Sequence, residues 1–179
     1  MFFAALSLIP ILLGPEVVAI MAPGEYQKAI WVIPPVASSV YFMYLYNIYG
    51  NIEFYYEKKS LVAIGSMVMA LANIILNYIF IKIAGFVAAG YTTLVCYVGY
   101  SVCHQIFSQK VLRKENVRES VFNNRFLTGL GIVVIMVVGL SNLLYLNNIV
   151  RYVMLLSLII IVVIKRNFII GLMRKIKKK

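Results

Sequence analysis

Apolar side chains run along the chain in six long blocks, at about 1–22, 29–50, 60–81, 83–107, 126–146 and 149–172. Each is long enough for a helix across a hydrocarbon core of about 30 Å. Short polar segments separate them, so the pattern predicts an all-α, polytopic membrane protein of about six transmembrane helices. The first block holds Gly14, Pro15 and Glu16, which predict a helix that breaks near its far end with Glu16 close to an interface. The second carries Trp31 and the pair Pro34 and Pro35, which predict a kink, and then the aromatic run Tyr41, Phe42, Tyr44, Tyr46 and Tyr49. No basic residue precedes the first block, and Pro23 would follow the one plausible cleavage point at Ala22. The block therefore reads as a span rather than a signal peptide.

Within the third block Ala63, Ser66, Ala70, Asn73 and Asn77 recur at helical spacing and share one face, while Leu61, Val68, Leu71, Ile75 and Ile79 occupy the other side. The small and polar stripe is expected to turn inward and the apolar side to meet lipid or an apolar neighbour. The fourth block repeats the device with Gly85, Ala89, Thr92, Cys96, Gly99 and Cys103, a stripe suited to close helix packing. Beside it runs a second line, Thr93, Tyr97, Tyr100 and His104. Its hydroxyls could line a watery path together with Ser66, Asn73 and Asn77; the alternative is that they only hydrogen-bond neighbouring helices. The fifth and sixth blocks are nearly uniform in Ile, Val and Leu and read as peripheral.

Composition agrees with a membrane protein, since 63% of the side chains are hydrophobic and only 13% are charged, about half the charge of an average soluble domain. A net charge of +11 would suggest nucleic acid in a soluble chain. Here the basic residues first have to be read as topology signals. Fourteen of the 17 Lys and Arg fall in the loops after the second and fourth blocks, in the last block or in the tail; Lys28, Lys82 and Arg151 alone fall on the other side. This split places both termini in the cytoplasm of a multi-pass protein of the cell membrane, with a helical lobe over 1–172 and a basic tail over 173–179. No nucleic-acid partner is implied.

Little in the sequence supports chemistry. The six acidic residues are all Glu, and one His and two Cys leave few ligands, so no metal or other cofactor is expected. Cys96 and Cys103 lie seven apart on one helix, about 10 Å along its axis, beyond disulfide reach. No phosphate-binding loop or nucleophile-elbow motif is present. Glu53 and Glu57 flank Phe54, Tyr55 and Tyr56 just before Lys58 and Lys59. They could form an acid and base pair, but the plainer reading is solvated carboxylates within an aromatic belt. His104, near the end of its helix, reads as a satisfied interfacial residue rather than a proton carrier. No Glu falls in the middle of a block, so no complete ion-coupling site is expected.

Several runs are similar to a known family. Pro15-Glu16, Ala22-Pro23-Gly24-Glu25-Tyr26, Ala29-Ile30-Trp31-Val32-Ile33-Pro34-Pro35-Val36, Glu53-Phe54-Tyr55-Tyr56-Glu57-Lys58 and Asn73-Ile74-Ile75-Leu76-Asn77-Tyr78-Ile79-Phe80-Ile81, with Gly85-Phe86-Val87-Ala88-Ala89-Gly90-Tyr91-Thr92-Thr93, resemble the polysaccharide (O-antigen type) flippases of bacteria. The resemblance covers about residues 10–107. It implies the fold of the superfamily that also holds multidrug and toxin extruders and lipid II flippases, in which two similar helical lobes surround a central cavity. It further implies movement of polyprenyl-diphosphate-linked oligosaccharide from the cytoplasmic to the outer leaflet, with membrane lipid as surroundings. Members of that family are more than twice this length, so the chain is expected to be the C-terminal lobe, with the N-terminal lobe missing. Alternatives are a small-molecule or drug exporter of the same fold, a membrane glycosyltransferase or polymerase of the same pathway, and a non-functional truncated remnant. The few charges in the outward loops argue against an enzyme.

Overall fold

The computed structural model describes residues 2–21, 24–117 and 122–164. Among the described residues it is all-helical, with α1 (Phe2–Met21), a 3₁₀ helix (Gly24–Trp31), α2 (Ile33–Tyr55), α3 (Lys59–Ala84), α4 (Ala88–Lys114), α5 (Asn124–Leu146) and α6 (Asn148–Ile164). One α-helix falls on each apolar block. Among the described residues three helical stretches are long and apolar enough to cross a membrane: Tyr26–Tyr55, Lys59–Ala84 and Asn124–Ser141. Ser7–Met21 and Asn148–Ser157 are apolar but shorter. The chain divides into two compact units, Met1–Ser141 and Asn142–Lys179.

In the first unit α2 is the central element, packed against α1, α3 and α4, while α3 also packs along α4. Its core gathers Tyr41, Phe42, Leu45 and Tyr49 of α2 with Ala4, Leu94, Val134 and Val138. The first part of α5 is tied to α2 at two levels, since the Tyr41 hydroxyl donates to the Leu127 carbonyl at 2.7 Å and the Tyr49 hydroxyl donates to Asn124 Oδ1 at 3.0 Å. Asn123 caps that helix by accepting from the Phe126 N–H at 3.2 Å. α3 is the opposite case: Gly65 is its one buried residue, and Ile64, Met67, Val68, Leu71, Ile74 and Ile75 are each more than half exposed. So large an unpartnered apolar face suits lipid rather than water.

The turns explain the element boundaries. α2 and α4 both end in Schellman motifs. After α2, Glu57 takes a left-handed φ of 58°, with Lys58 N–H to Glu53 O at 2.8 Å and Glu57 N–H to Phe54 O at 3.1 Å. After α4, Asn116 takes φ 56°, with Val117 N–H to Leu112 O at 3.0 Å and Asn116 N–H to Arg113 O at 3.3 Å. These caps carry α2 five residues and α4 seven residues beyond the apolar blocks that predict them.

Four expectations change. α1 continues through Pro10 and Pro15 to Met21 instead of breaking at Gly14–Glu16; a helix absorbs an internal Pro at the cost of a hydrogen bond and a bend. Pro34 and Pro35 kink no continuous α-helix. They occupy the first turn of α2, where the 3₁₀ helix gives way to it, and where the missing N–H groups would have had no intrahelical partner. Gly85 lies outside the packing stripe of α4. It caps α3 with φ 75° and its N–H reaches Ile81 O at 2.9 Å, a conformation that glycine adopts without strain. In the second unit Arg151 is no loop residue but lies buried in the first turn of α6, with its guanidinium 5.2 Å from the Tyr152 ring centroid. Asn147 caps that helix through the N–H groups of Ile149 and Val150 at 3.1 and 3.3 Å. The basic tail, residues 173–179, lies outside the described residues.

Candidate functional site

The stripes on α3 and α4 meet each other. At one end of the helix pair the Thr92 hydroxyl donates to Asn77 Oδ1 at 2.5 Å, and Asn77 Nδ2 donates to Asn73 Oδ1 at 2.9 Å. The Thr93 hydroxyl instead donates to the Ala89 carbonyl of its own helix at 2.7 Å. Midway, Gly99 lies against Met69, whose Cε would be 3.5 Å from an added Cβ. Cys96 is buried and Cys103 half-buried, and both are free thiols. Farther along, the Ser66 hydroxyl donates to the Val62 carbonyl at 2.8 Å. The Ser66 and Tyr100 hydroxyls are 2.5 Å apart and share a hydrogen bond in which either can be the donor.

Between these contacts lies a cavity of about 340 Å³, bounded by Tyr46 of α2, by Ser66, Met69, Ala70 and Asn73 of α3, and by Thr93, Cys96, Tyr97 and Tyr100 of α4. Five of the six residues expected on a path, Ser66, Asn73, Thr93, Tyr97 and Tyr100, line this one space; Asn77 stands behind Asn73 as its hydrogen-bond donor. Tyr46 is the addition from α2. Its ring lies 4.3 Å from that of Tyr100 and is stacked 6.3 Å from that of Tyr97. The wall thus combines hydroxyls, an amide and aromatic faces, and no lining residue carries a full charge. Such a surface can hydrogen-bond and stack upon an uncharged polar molecule.

Directly behind Tyr100 stands a buried pair, one member of which hydropathy places in water. Glu53 and His104 are both fully buried, and Glu53 Oε1 lies 2.7 Å from His104 Nδ1. Glu53 is therefore no solvated carboxylate of a wet boundary, and His104 finds its partner in this buried carboxyl group, because the end of α2 packs against α4 there. The imidazole packs edge-on against Tyr100, with 4.5 Å between ring centroids, and 6.2 Å from Phe107. On α3 a glycine leaves room for it, since a Cβ at Gly65 would stand 3.0 Å from His104 Nε2 and 3.3 Å from Tyr100, and the rings would have to give by a few tenths of an ångström. Gly90 allows a similar approach at the other end of α4, where an added Cβ would come within 2.9 Å of Pro35. Among the described residues Glu53 Oε2 and His104 Nε2 have no hydrogen-bond partner. A signal for the pair was present in the spacing: Tyr46 and Glu53 are seven apart on α2, as Tyr97 and His104 are on α4, and residues seven apart share a helix face.

No group of three or more His, Cys, Asp or Glu among the described residues is arranged to hold a metal ion. Comparison of the chain with models of protein families, with curated proteins and with solved structures finds no match in any of the three.

Proposed function

We propose that the chain is one lobe of an exporter of the polysaccharide flippase kind, crossing the cell membrane six times and forming one wall of a path for polyprenyl-diphosphate-linked oligosaccharide. The observation that carries this reading is the uncharged wall of Tyr46, Ser66, Asn73, Thr93, Tyr97 and Tyr100, recessed among helices whose other faces are apolar. Hydroxyls and an amide match sugar hydroxyls, and tyrosine rings match the C–H faces of a pyranose. A diphosphate would need a cation, which this wall does not offer; the partner lobe supplies it, together with the opposite wall. Nothing in this role requires a bond in the cargo to be made or broken.

The test is complementation of a flippase-deficient strain. The chain with a partner lobe is expected to restore surface polysaccharide, and the chain alone is not. Replacing both Asn73 and Asn77 by Leu in the two-lobed form is expected to lower the restored level about tenfold, the equivalent of about 1.4 kcal/mol in cargo interaction. Full rescue by the chain alone, or an unaffected double variant, contradicts the reading.

The same proposal orients the protein with both termini in the cytoplasm, on the fourteen-to-three division of basic residues. Lys82 and Lys114 are both exposed and suit labelling. With Cys96 and Cys103 replaced by Ala, a cysteine at 114 is expected to react from the cytoplasmic side and one at 82 from outside. The reverse pattern contradicts the orientation.

A further inference from the structure

We propose that Glu53 and His104 form a proton-binding site whose occupancy controls the position of Tyr100, and through it the shape of the cavity wall. The site is built from three elements: the carboxyl group from α2, the imidazole from α4, and the glycine of α3 that leaves room for the ring. With one proton on the pair, Nδ1–H donates to a carboxylate, Nε2 is bare, and the pair is an anion. With two protons it is neutral, as carboxylate and imidazolium or as carboxylic acid and imidazole. The added proton comes from water and returns to water, and no other reactant takes part.

The surroundings make the two states differ mechanically. Among the described residues Glu53 has no partner besides His104, and it sits in the last turn of α2, where the helix dipole opposes an anion. The titratable groups facing the pair are the phenols of Tyr46, whose ring lies 6.1 Å from the imidazole, and Tyr100, at 4.5 Å. α3 presents Gly65, and Lys58 and Lys59 in the connection to α3 are exposed. Among the described residues, no cation therefore offsets the one-proton state. That state favours separation of the ends of α2 and α4 and entry of water, whereas the two-proton state favours the closed packing. Tyr100 transmits the change because its ring touches the imidazole on one side and its hydroxyl holds Ser66 on the other.

The transport consequence rests on reading the cavity as a cargo wall; proton binding by the pair does not. His104 is the one histidine of the chain, so imidazole ¹⁵N signals from protein labelled at histidine and reconstituted in vesicles report this site alone. Titrated from about pH 4 to about pH 9, the full chain is expected to show a reversible change between two imidazole states, and the Tyr100 ring signal, assigned through Tyr100→Phe, should follow with the same midpoint. Glu53→Gln is expected to weaken proton binding at the imidazole about tenfold or more. A single imidazole state across the range overturns the proposal, and so does a Tyr100 signal that ignores the transition. The wild-type titration requires no variant to fold. A positive titration beside failed complementation would remove the flippase reading and leave the proton site standing.

Discussion

Glu53→Ala is expected to destabilise the folded protein by about 3–5 kcal/mol, and His104→Ala by a similar amount. Each change leaves one member of a fully buried, hydrogen-bonded pair facing an apolar void. The costs should not add, because once one partner is gone the other no longer has an interaction to lose. Glu53→Leu combined with His104→Leu is therefore expected to be more stable than either alanine variant, since two apolar groups desolvate without penalty. Glu53→Gln, which retains a hydrogen-bonding group opposite Nδ1, should lose the least. Reversible unfolding in mixed micelles measures these values. A loss below about 1 kcal/mol for Glu53→Ala would mean that water reaches the pair, contrary to its complete burial.

Tyr41→Ala carries the next largest expected effect, about 3–5 kcal/mol. The ring is fully buried, lies edge-on to Phe42 at 5.4 Å, and anchors α5 through its hydroxyl on Leu127 O. In lipid the loss comes from the packing and cavity terms rather than from hydration. Tyr41→Phe separates the contributions: it keeps the ring and removes the hydrogen bond, and is expected to cost about 0.5–1.5 kcal/mol. If the phenylalanine variant lost as much as the alanine one, the hydroxyl and not the ring would be holding α5, and the core as described would be wrong. The same unfolding experiment distinguishes the two cases.

The lining of the cavity was legible because it follows one rule. Ser66 and Asn73 on α3, with Thr93, Tyr97 and Tyr100 on α4, recur at helical spacing in segments otherwise apolar, and a shared face on each of two adjacent helices puts them opposite each other, with Asn77 on the same face behind Asn73. The buried pair escaped the same rule because of where hydropathy stops. Glu53 lies beyond the apolar run of its helix and five residues before a pair of lysines, so sequence alone puts it in water. The Schellman cap at Glu57 carries α2 past that limit, and the carboxyl group placed there is buried against His104, which lies within the apolar run of α4. The glycines behaved in the same way. Gly85 falls in the spacing of the packing stripe but works as a cap. Gly65 and Gly90, which do allow close approach, stand outside it, because the neighbour each admits comes from a distant segment. The prolines were legible as breaks in pattern only, since Pro15 within α1 and Pro34 at the start of α2 differ in the hydrogen bonds around them and not in the residues that precede them.

In the proposed path the wall of Tyr46, Tyr97 and Tyr100 meets sugar, and a photo-crosslinking side chain tests that contact directly. A benzophenone amino acid at position 97, in the two-lobed protein within membranes that contain lipid-linked oligosaccharide, is expected to give an adduct that carries glycan. The same group at position 75, on the exposed apolar side of α3, should capture lipid without glycan. Glycan adducts that are absent at 97, or equally abundant at 75, would contradict the assignment of this cavity to an oligosaccharide path.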